Sequence, residues 1–214
     1  MQPYHKIQTI FHRDPITNNK TLLEGQWSDP AFEYLALNRW IYTEKIDGTN
    51  IRVMWDGCVV TFGGKTNNAQ IPANLVNRLQ DMFPARMFAD NAYPAMTLYG
   101  EGYGKGIQKG GGNYISDGVD FILFDVFIYK WWLGRENIED IASHCGIKTV
   151  PIIGEGTLHT AYVMAREGFM SHIADIEAEG IVMRPKVALL NRSGHRIITK
   201  IKHSDFRVNV GIGI

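Results

Sequence analysis

Thr43-Glu44-Lys45-Ile46-Asp47-Gly48-Thr49-Asn50-Ile51-Arg52-Val53 is the stretch around which the chain is organised. It leaves an apolar, aromatic run of Trp40, Ile41 and Tyr42 and turns through Asp47-Gly48. It then continues with Ile51, Val53 and Trp55 alternating against Arg52, Met54 and Asp56. This pattern predicts a strand, a tight turn and a second strand. Lys45 then stands at the rim where the first strand ends. An arbitrary rim lysine is solvated and inert. This one has a carboxylate (Asp47), a hydroxyl (Thr49) and an amide (Asn50) within five residues, and four further polar clusters follow downstream.

Bulk composition narrows the setting. A chain of 214 residues is one large domain or two small ones. The 45% hydrophobic content is that of a globular protein with a real core. The 22 basic and 22 acidic residues cancel. Affinity drawn mainly from phosphate contacts calls for more positive charge than that, so any nucleic-acid footprint is small or is a basic face balanced by an acidic one. Cys58 and Cys145 are too few for a disulfide framework or a metal site. Their apolar neighbours predict that both are buried and reduced, as in the cytoplasm. The N-terminus carries no apolar signal segment and no run reaches membrane-spanning length.

Outward from the central stretch, Ser28-Asp29-Pro30 starts a helix that should end near Asn38, with Phe32, Leu35 and Ala36 on one face. Residues 1 to 27 read as strands or loops on the main body, and Val59 to Phe62 as a third strand. Gly63-Gly64-Lys65-Thr66 fails the phosphate-loop template, because the required earlier glycine is Val59. It reads instead as a strand-to-loop turn presenting Lys65. A helix follows Pro72, with Leu75, Val76, Leu79 and Phe83 as its core side. Next, a strand ends at Glu101, and a loop follows; seven glycines fall between Gly100 and Gly112. Glycines at this density let backbone amides approach a ligand closely; Lys105 and Lys109 are loop lysines near them. Val119 to Ile128 is a buried strand, 135 to 145 a helix closed by Gly146, and 160 to 173 another helix. Arg196 to Lys202 alternates as a strand, with Lys200 and Lys202 on one face. Two like charges there require solvent or an anion.

Lys45-Ile-Asp47-Gly48-Thr-Asn50 resembles motif I of the covalent nucleotidyltransferases, the superfamily of ATP-dependent ligases and mRNA capping enzymes. Four later segments resemble further motifs in the family's order: Gly100-Glu101-Gly102, Phe124-Asp125-Val126, Glu179-Gly180-Ile-Val-Met-Arg184 and Lys200-Ile-Lys202. Read together, they most resemble the RNA-ligase-2-type RNA ligases. The resemblance implies an α+β fold: a single adenylyltransferase domain over residues 1–214, with antiparallel sheets and flanking helices. It implies an ATP-dependent ligase that joins 5′-phosphate and 3′-hydroxyl RNA ends, nicked duplexes included, through AMP carried on Lys45. Glu101 becomes a ligand of the ribose hydroxyls or of a metal's water shell, Glu179 a metal-linked carboxylate, Phe124 a base-stacking ring, and Arg184, Lys200 and Lys202 phosphate contacts. Thr43 and Glu44 become candidates for the adenine edge, Asn50 for the later steps at the RNA end, and Lys65, where arginine is usual, for the phosphate of that end. Arg52 reads equally as functional or as a solvent-face strand residue, and Asp125 as structural.

A lysine nucleophile must lose its proton, which at pH 7 costs roughly 4–5 kcal/mol from a reference pKa of about 10.4. Neighbouring carboxylates oppose this, whereas Lys200, Lys202 and a divalent cation assist it. The expectation is Mg²⁺ or Mn²⁺ held by Asp47, Glu101 and Glu179 through water. Twelve residues follow Lys202, too few for the C-terminal OB domain of DNA ligases and capping enzymes. The sequence therefore favours an RNA ligase, a monomer or one with a protein partner, over a minimal DNA ligase or guanylyltransferase. A non-catalytic nucleotide or RNA-end binding module is disfavoured, because Lys45, Glu101, Glu179, Lys200 and Lys202 are all retained.

Overall fold

A computed structural model describes residues 3–206. Of the twelve residues after Lys202, 207–214 lie outside the described residues. The described chain forms two compact units. The first comprises residues 6–45 and 151–206, the second 3–5 and 46–150. In chain order, the first unit opens with β1 (Gln8–Thr9), β2 (Phe11–Arg13), β3 (Leu22–Trp27), α1 (Pro30–Tyr34) and β4 (Trp40–Lys45). The second holds β5 (Thr49–Trp55), β6 (Val60–Gly63), α2 (Ala73–Met82), α3 (Ala85–Asp90), β7 (Met96–Gly104), β8 (Val119–Ile128), β9 (Trp131–Trp132), α4 (Arg135–Cys145) and β10 (Lys148–Thr149). The chain returns to the first unit with β11 (Ile152–Gly156), α5 (Leu158–Glu167), β12 (Gly180–Pro185) and β13 (Thr199–Lys202).

The first unit's main sheet has the order β1-β13-β12-β4-β11, with β2 and β3 paired separately. The second unit's sheet has the order β10-β8-β7-β5-β6, with β9 also on β8. Pairing is antiparallel except β1 with β13 and β10 with β8. This is the expected α+β architecture of antiparallel sheets with helices. In the first unit, Trp40, Tyr42, Ile181, Met183 and Ile201 pack with Leu158, Ala161 and Ala165 of α5. In the second, Ile51, Val53, Leu98, Leu123 and Val126 pack with Leu75 and Leu79 of α2 and Ile138 of α4. Each fully buried large apolar side chain contributes about 1.5–3 kcal/mol.

The central stretch forms its two strands, but they do not pair with each other. The neighbours of β4 are β12 and β11, and those of β5 are β7 and β6. A strand has only two edges, and both are filled in each case. Asp47-Gly48 is therefore a passage from one unit to the other. Gly48 is required by a close approach: a Cβ there would lie 2.3 Å from the carbonyl oxygen of Gly102.

Other boundaries move for local reasons. Helix α1 begins as expected, with the Asp29 carboxylate accepting from Ala31 N at 2.8 Å, and ends at Tyr34 rather than Asn38. Helix α5 starts under Thr157 and stops before Gly168, whose φ of 80° ends it well short of residue 173. Strand β7 runs past Glu101 to Gly104, and β13 begins only at Thr199. Within β7 the glycines serve packing: a Cβ on Gly100 would lie 2.2 Å from the Phe121 ring, and one on Gly102 2.5 Å from Leu75. Cys58 is exposed rather than buried. The Asp56 carboxylate accepts from Cys58 N and Val59 N, each at 2.8 Å, and turns the thiol outward.

Candidate active site

In the first unit, Lys45 stands opposite Gly180, and Gly180 opposite Lys202, across three adjacent strands. The next row aligns Thr43, Val182 and Lys200. Opposed residues of antiparallel strands share a face, and alternate residues of one strand do too. Thr43, Lys45, Lys200 and Lys202 therefore project to one side, as does Arg184, which stands opposite Ile41. Trp40, Tyr42, Ile181 and Ile201 fill the core on the other side. Gly180 is the wedge of the row, since a Cβ there would lie 2.2 Å from the carbonyl oxygen of Ile201.

Glu179 precedes this glycine and bridges the two lysines. Its Oε2 lies 2.5 Å from Lys45 Nζ, and its Oε1 2.5 Å from Lys202 Nζ. The carboxylate and Lys45 are largely shielded from solvent, with side-chain exposures of 14% and 19%. A carboxylate against an amine opposes loss of the amine's proton, so a nucleophilic Lys45 requires this contact to break.

Alternation sends Glu44 to the core face, away from Lys45. It is 1% exposed, and it accepts from Ser171 Oγ at 2.5 Å and His172 N at 2.8 Å. Thr43 Oγ1 donates to the Val182 carbonyl at 3.3 Å. Asp205, which no motif signals, accepts from Lys202 N at 2.9 Å and pairs with Arg13 at 2.7 Å. It ties the end of β13 to Arg13, which is remote in sequence.

The second unit holds the remaining candidates. Asp47 N donates to the Tyr114 hydroxyl at 3.3 Å. A Cβ on Gly110 would lie 2.6 Å from an Asp47 carboxylate oxygen, and one on Gly48 2.8 Å from Cγ of Glu101. Asn50 stands directly opposite Glu101, and its buried Oδ1 has no hydrogen-bond partner among the described residues. Phe124 sits at a β-bulge: Tyr99 pairs with Asp125 and Gly100 with Leu123, so Phe124 has no partner on β7. A bulge re-aims a side chain, and this ring is half-buried. Tyr4 packs edge-on to Phe124 at 5.1 Å, and its hydroxyl donates to Asp125 at 2.5 Å. Asp125, fully buried, is thus structural, as the sequence suggested; Tyr4 carries no sequence signal of this role. Burial pushes the phenol of Tyr103, two residues beyond Glu101, up to about 12. Lys65 and Lys109 are exposed, and Lys105 forms an exposed pair with Asp117. Among the described residues, no group of three or more His, Cys, Asp or Glu is gathered as a direct metal cage.

A strand-end lysine, a second lysine two strands away on the same face and a carboxylate bridging them are the arrangement expected of the nucleotidyltransferase class whose motifs the sequence resembles. The RNA ligase family model matches residues 38–202, and the chain belongs to that family. No curated protein matches by sequence. Among solved structures, Naegleria gruberi RNA ligase with PPi superposes with a TM-score of 0.67 at 17% identity, covering 94% of this chain and 56% of that one. A point mutant of the same ligase with AMP and Mn gives 0.68 at 16%, with the same coverages. An apo point mutant gives 0.66 at 18%, covering 83% and 52%. The chain thus spans a little over half the length of these ligase chains.

Proposed function

We propose that the protein is an ATP-dependent RNA ligase that joins a 5′-phosphate end to a 3′-hydroxyl end. The observation that carries this reading is the Glu179 bridge between Lys45 and Lys202. It supports Lys45 as nucleophile and Lys202 as a phosphate-stabilising cation beside it, on the face where Lys200 and Arg184 also project. The ATP, AMP and Mn named for the Naegleria structures support ATP and a divalent cation as the cofactors. On this reading, residues 1–214 work as one adenylyltransferase domain.

Lys45 becomes a nucleophile once Glu179 turns from it and its ammonium proton passes to water. Its Nζ then forms a bond to the α-phosphorus of ATP as the bond to pyrophosphate breaks. Lys202, released by the same turn, and Lys200 offset charge growing on the α-phosphate; such fixed charges contribute most in the transition state. A 5′-phosphate oxygen of RNA next displaces Lys45 from the AMP phosphorus. The 3′-hydroxyl oxygen finally attacks the RNA phosphate, and AMP leaves. Phe124 stacks on the adenine, which contributes about 1–3 kcal/mol. Thr43 and Glu44 shape the adenine edge, Glu44 by holding the 171–172 backbone. Asn50 and Lys65 serve the RNA end.

Asp47 and Glu101 in one unit and Glu179 in the other each supply hard carboxylate oxygens of the kind a hydrated Mg²⁺ or Mn²⁺ takes through water, and on this reading they are the residues that would hold it. When bound, such an ion supplies positive charge that favours a neutral lysine amine and a leaving pyrophosphate. The test is sealing of an RNA nick by the wild type and by Lys45→Ala. Joined product from the wild type alone supports the reading; no product from folded wild type, with Mg²⁺ or Mn²⁺, opposes it.

A further inference from the structure

Arg52 is 2% exposed, not the solvent-face residue that strand alternation allowed. Its Nε donates to the Gly64 carbonyl at 2.9 Å, and an Nη to Asn67 Oδ1 at 3.0 Å. Both acceptors are neutral, and among the described residues no carboxylate pairs with it. A guanidinium stays charged at any ordinary pH, and buried charges are normally paired. The place is built for this group. Arg52 stands opposite Gly63, and a Cβ on Gly63 would lie 2.8 Å from its Nη2. The two glycines that mimic a phosphate loop thus have structural duties: Gly63 admits the guanidinium, and Gly64 supplies its acceptor. Strand alternation also sets Arg52 on the same face as Asn50.

An uncharged amide could tie down the same two acceptors. The guanidinium adds a charge that the loop does not neutralise, directly beneath the segment presenting Lys65. We propose that Arg52 is a positioning residue that fixes loop 64–67 and lends it uncompensated positive charge. Together with Lys65 it makes the loop a seat for the terminal 5′-phosphate of the RNA strand. This rests on the ligase reading above. It also answers how a chain of zero net charge recognises a phosphate: with a small footprint backed by a buried cation.

The test is the ratio of affinities for one labelled RNA oligonucleotide bearing a 5′-phosphate or a 5′-hydroxyl, measured by fluorescence anisotropy with the full chain. The wild type should favour the phosphate by about tenfold, the size of one charge-assisted contact. Arg52→Met should bring the ratio close to one. Arg52→Lys, which keeps charge but loses the fork, and Asn67→Ala, which keeps the charge but removes one acceptor, should each lower it partway. Melting curves are taken for all, and if Arg52→Met does not fold, the other two variants decide. A wild-type ratio retained by folded Arg52→Met, or by both Arg52→Lys and Asn67→Ala, overturns the inference, as does a wild-type ratio of one. Lysyl-AMP formation is followed in the same preparations: its absence from the wild type overturns the ligase reading itself, whereas adduct formation with an unaltered ratio in the variants overturns the inference alone.

Discussion

Glu179 holds two opposing demands in one side chain. Its two oxygens restrain Lys45 and Lys202 as ammonium groups, each at 2.5 Å, and the proposed reaction needs both released. Glu179→Gln keeps the shape and removes both the restraint and the charge proposed to hold the metal's water shell, and the second loss outweighs the first. It should lower lysyl-AMP formation by at least about 100-fold, the scale of losing one aligned charged group, with the melting temperature little changed; labelled ATP reads the first and calorimetry the second. Glu44 presents the contrasting case of a buried carboxylate whose hydrogen bonds hold backbone. Leaving its partners on Ser171 and His172 unsatisfied costs about 1–3 kcal/mol. Glu44→Ala should therefore melt roughly 2–12 °C lower. An unchanged melting point would show that segment 171–172 holds itself.

At the scale of elements, β12 is the strand on which the first unit's site depends. Gly180 lets β13 pass close enough for Lys202 and Lys45 to flank one carboxylate. Gly180→Ala would drive its methyl into the Ile201 carbonyl. We expect it to fold poorly or melt at least about 5 °C lower, with adduct formation lost in parallel; thermal melting and ATP labelling check both. Much of this scale was legible. Strands β4, β5 and β8 follow from alternation and apolar runs, and α4 from its periodicity and the αL glycine at Gly146. What was not legible is set by partners remote in the chain. Nothing local says that β4 and β5 belong to different sheets, or that the extra residue of the β7–β8 pairing falls at Phe124. Tyr4 on Asp125, Ser171 on Glu44 and Arg13 on Asp205 are tertiary contacts across 121, 127 and 192 residues. Single-sequence patterns carry no record of them. Candidate site residues were legible as motifs, whereas the bridge that joins Lys45, Glu179 and Lys202 required the strand register.

Across the whole molecule, burial raises several phenols and a thiol, and two of these groups shape the alkaline limit most strongly. Burial raises the Cys145 thiol from 9.0 to about 11 and the Tyr103 phenol from 10.0 to about 12. Each keeps its proton longer folded than unfolded, so its contribution is complete below the unfolded value and is lost as pH rises through the folded one. Stability should fall from about pH 9 to pH 12, and Cys145→Ala should flatten the lower part of that decline; melting temperature against pH measures it. The same contrast orders thiol chemistry. At pH 8 a maleimide should label Cys58, which is exposed, at least about tenfold faster than Cys145, which remains a thiol there. Equal rates would contradict the burial assigned to Cys145.

The central claim is that Lys45 carries the nucleotide. The most direct measurement is incubation of wild type and Lys45→Ala with Mg²⁺ and ATP labelled at the α-phosphate, beside equally labelled GTP, followed by denaturing electrophoresis. Label that stays on the wild-type chain from ATP only, and is missing from Lys45→Ala, is the predicted result. Label retained by Lys45→Ala, label from GTP instead, or none on folded wild type with Mg²⁺ or Mn²⁺ would contradict it.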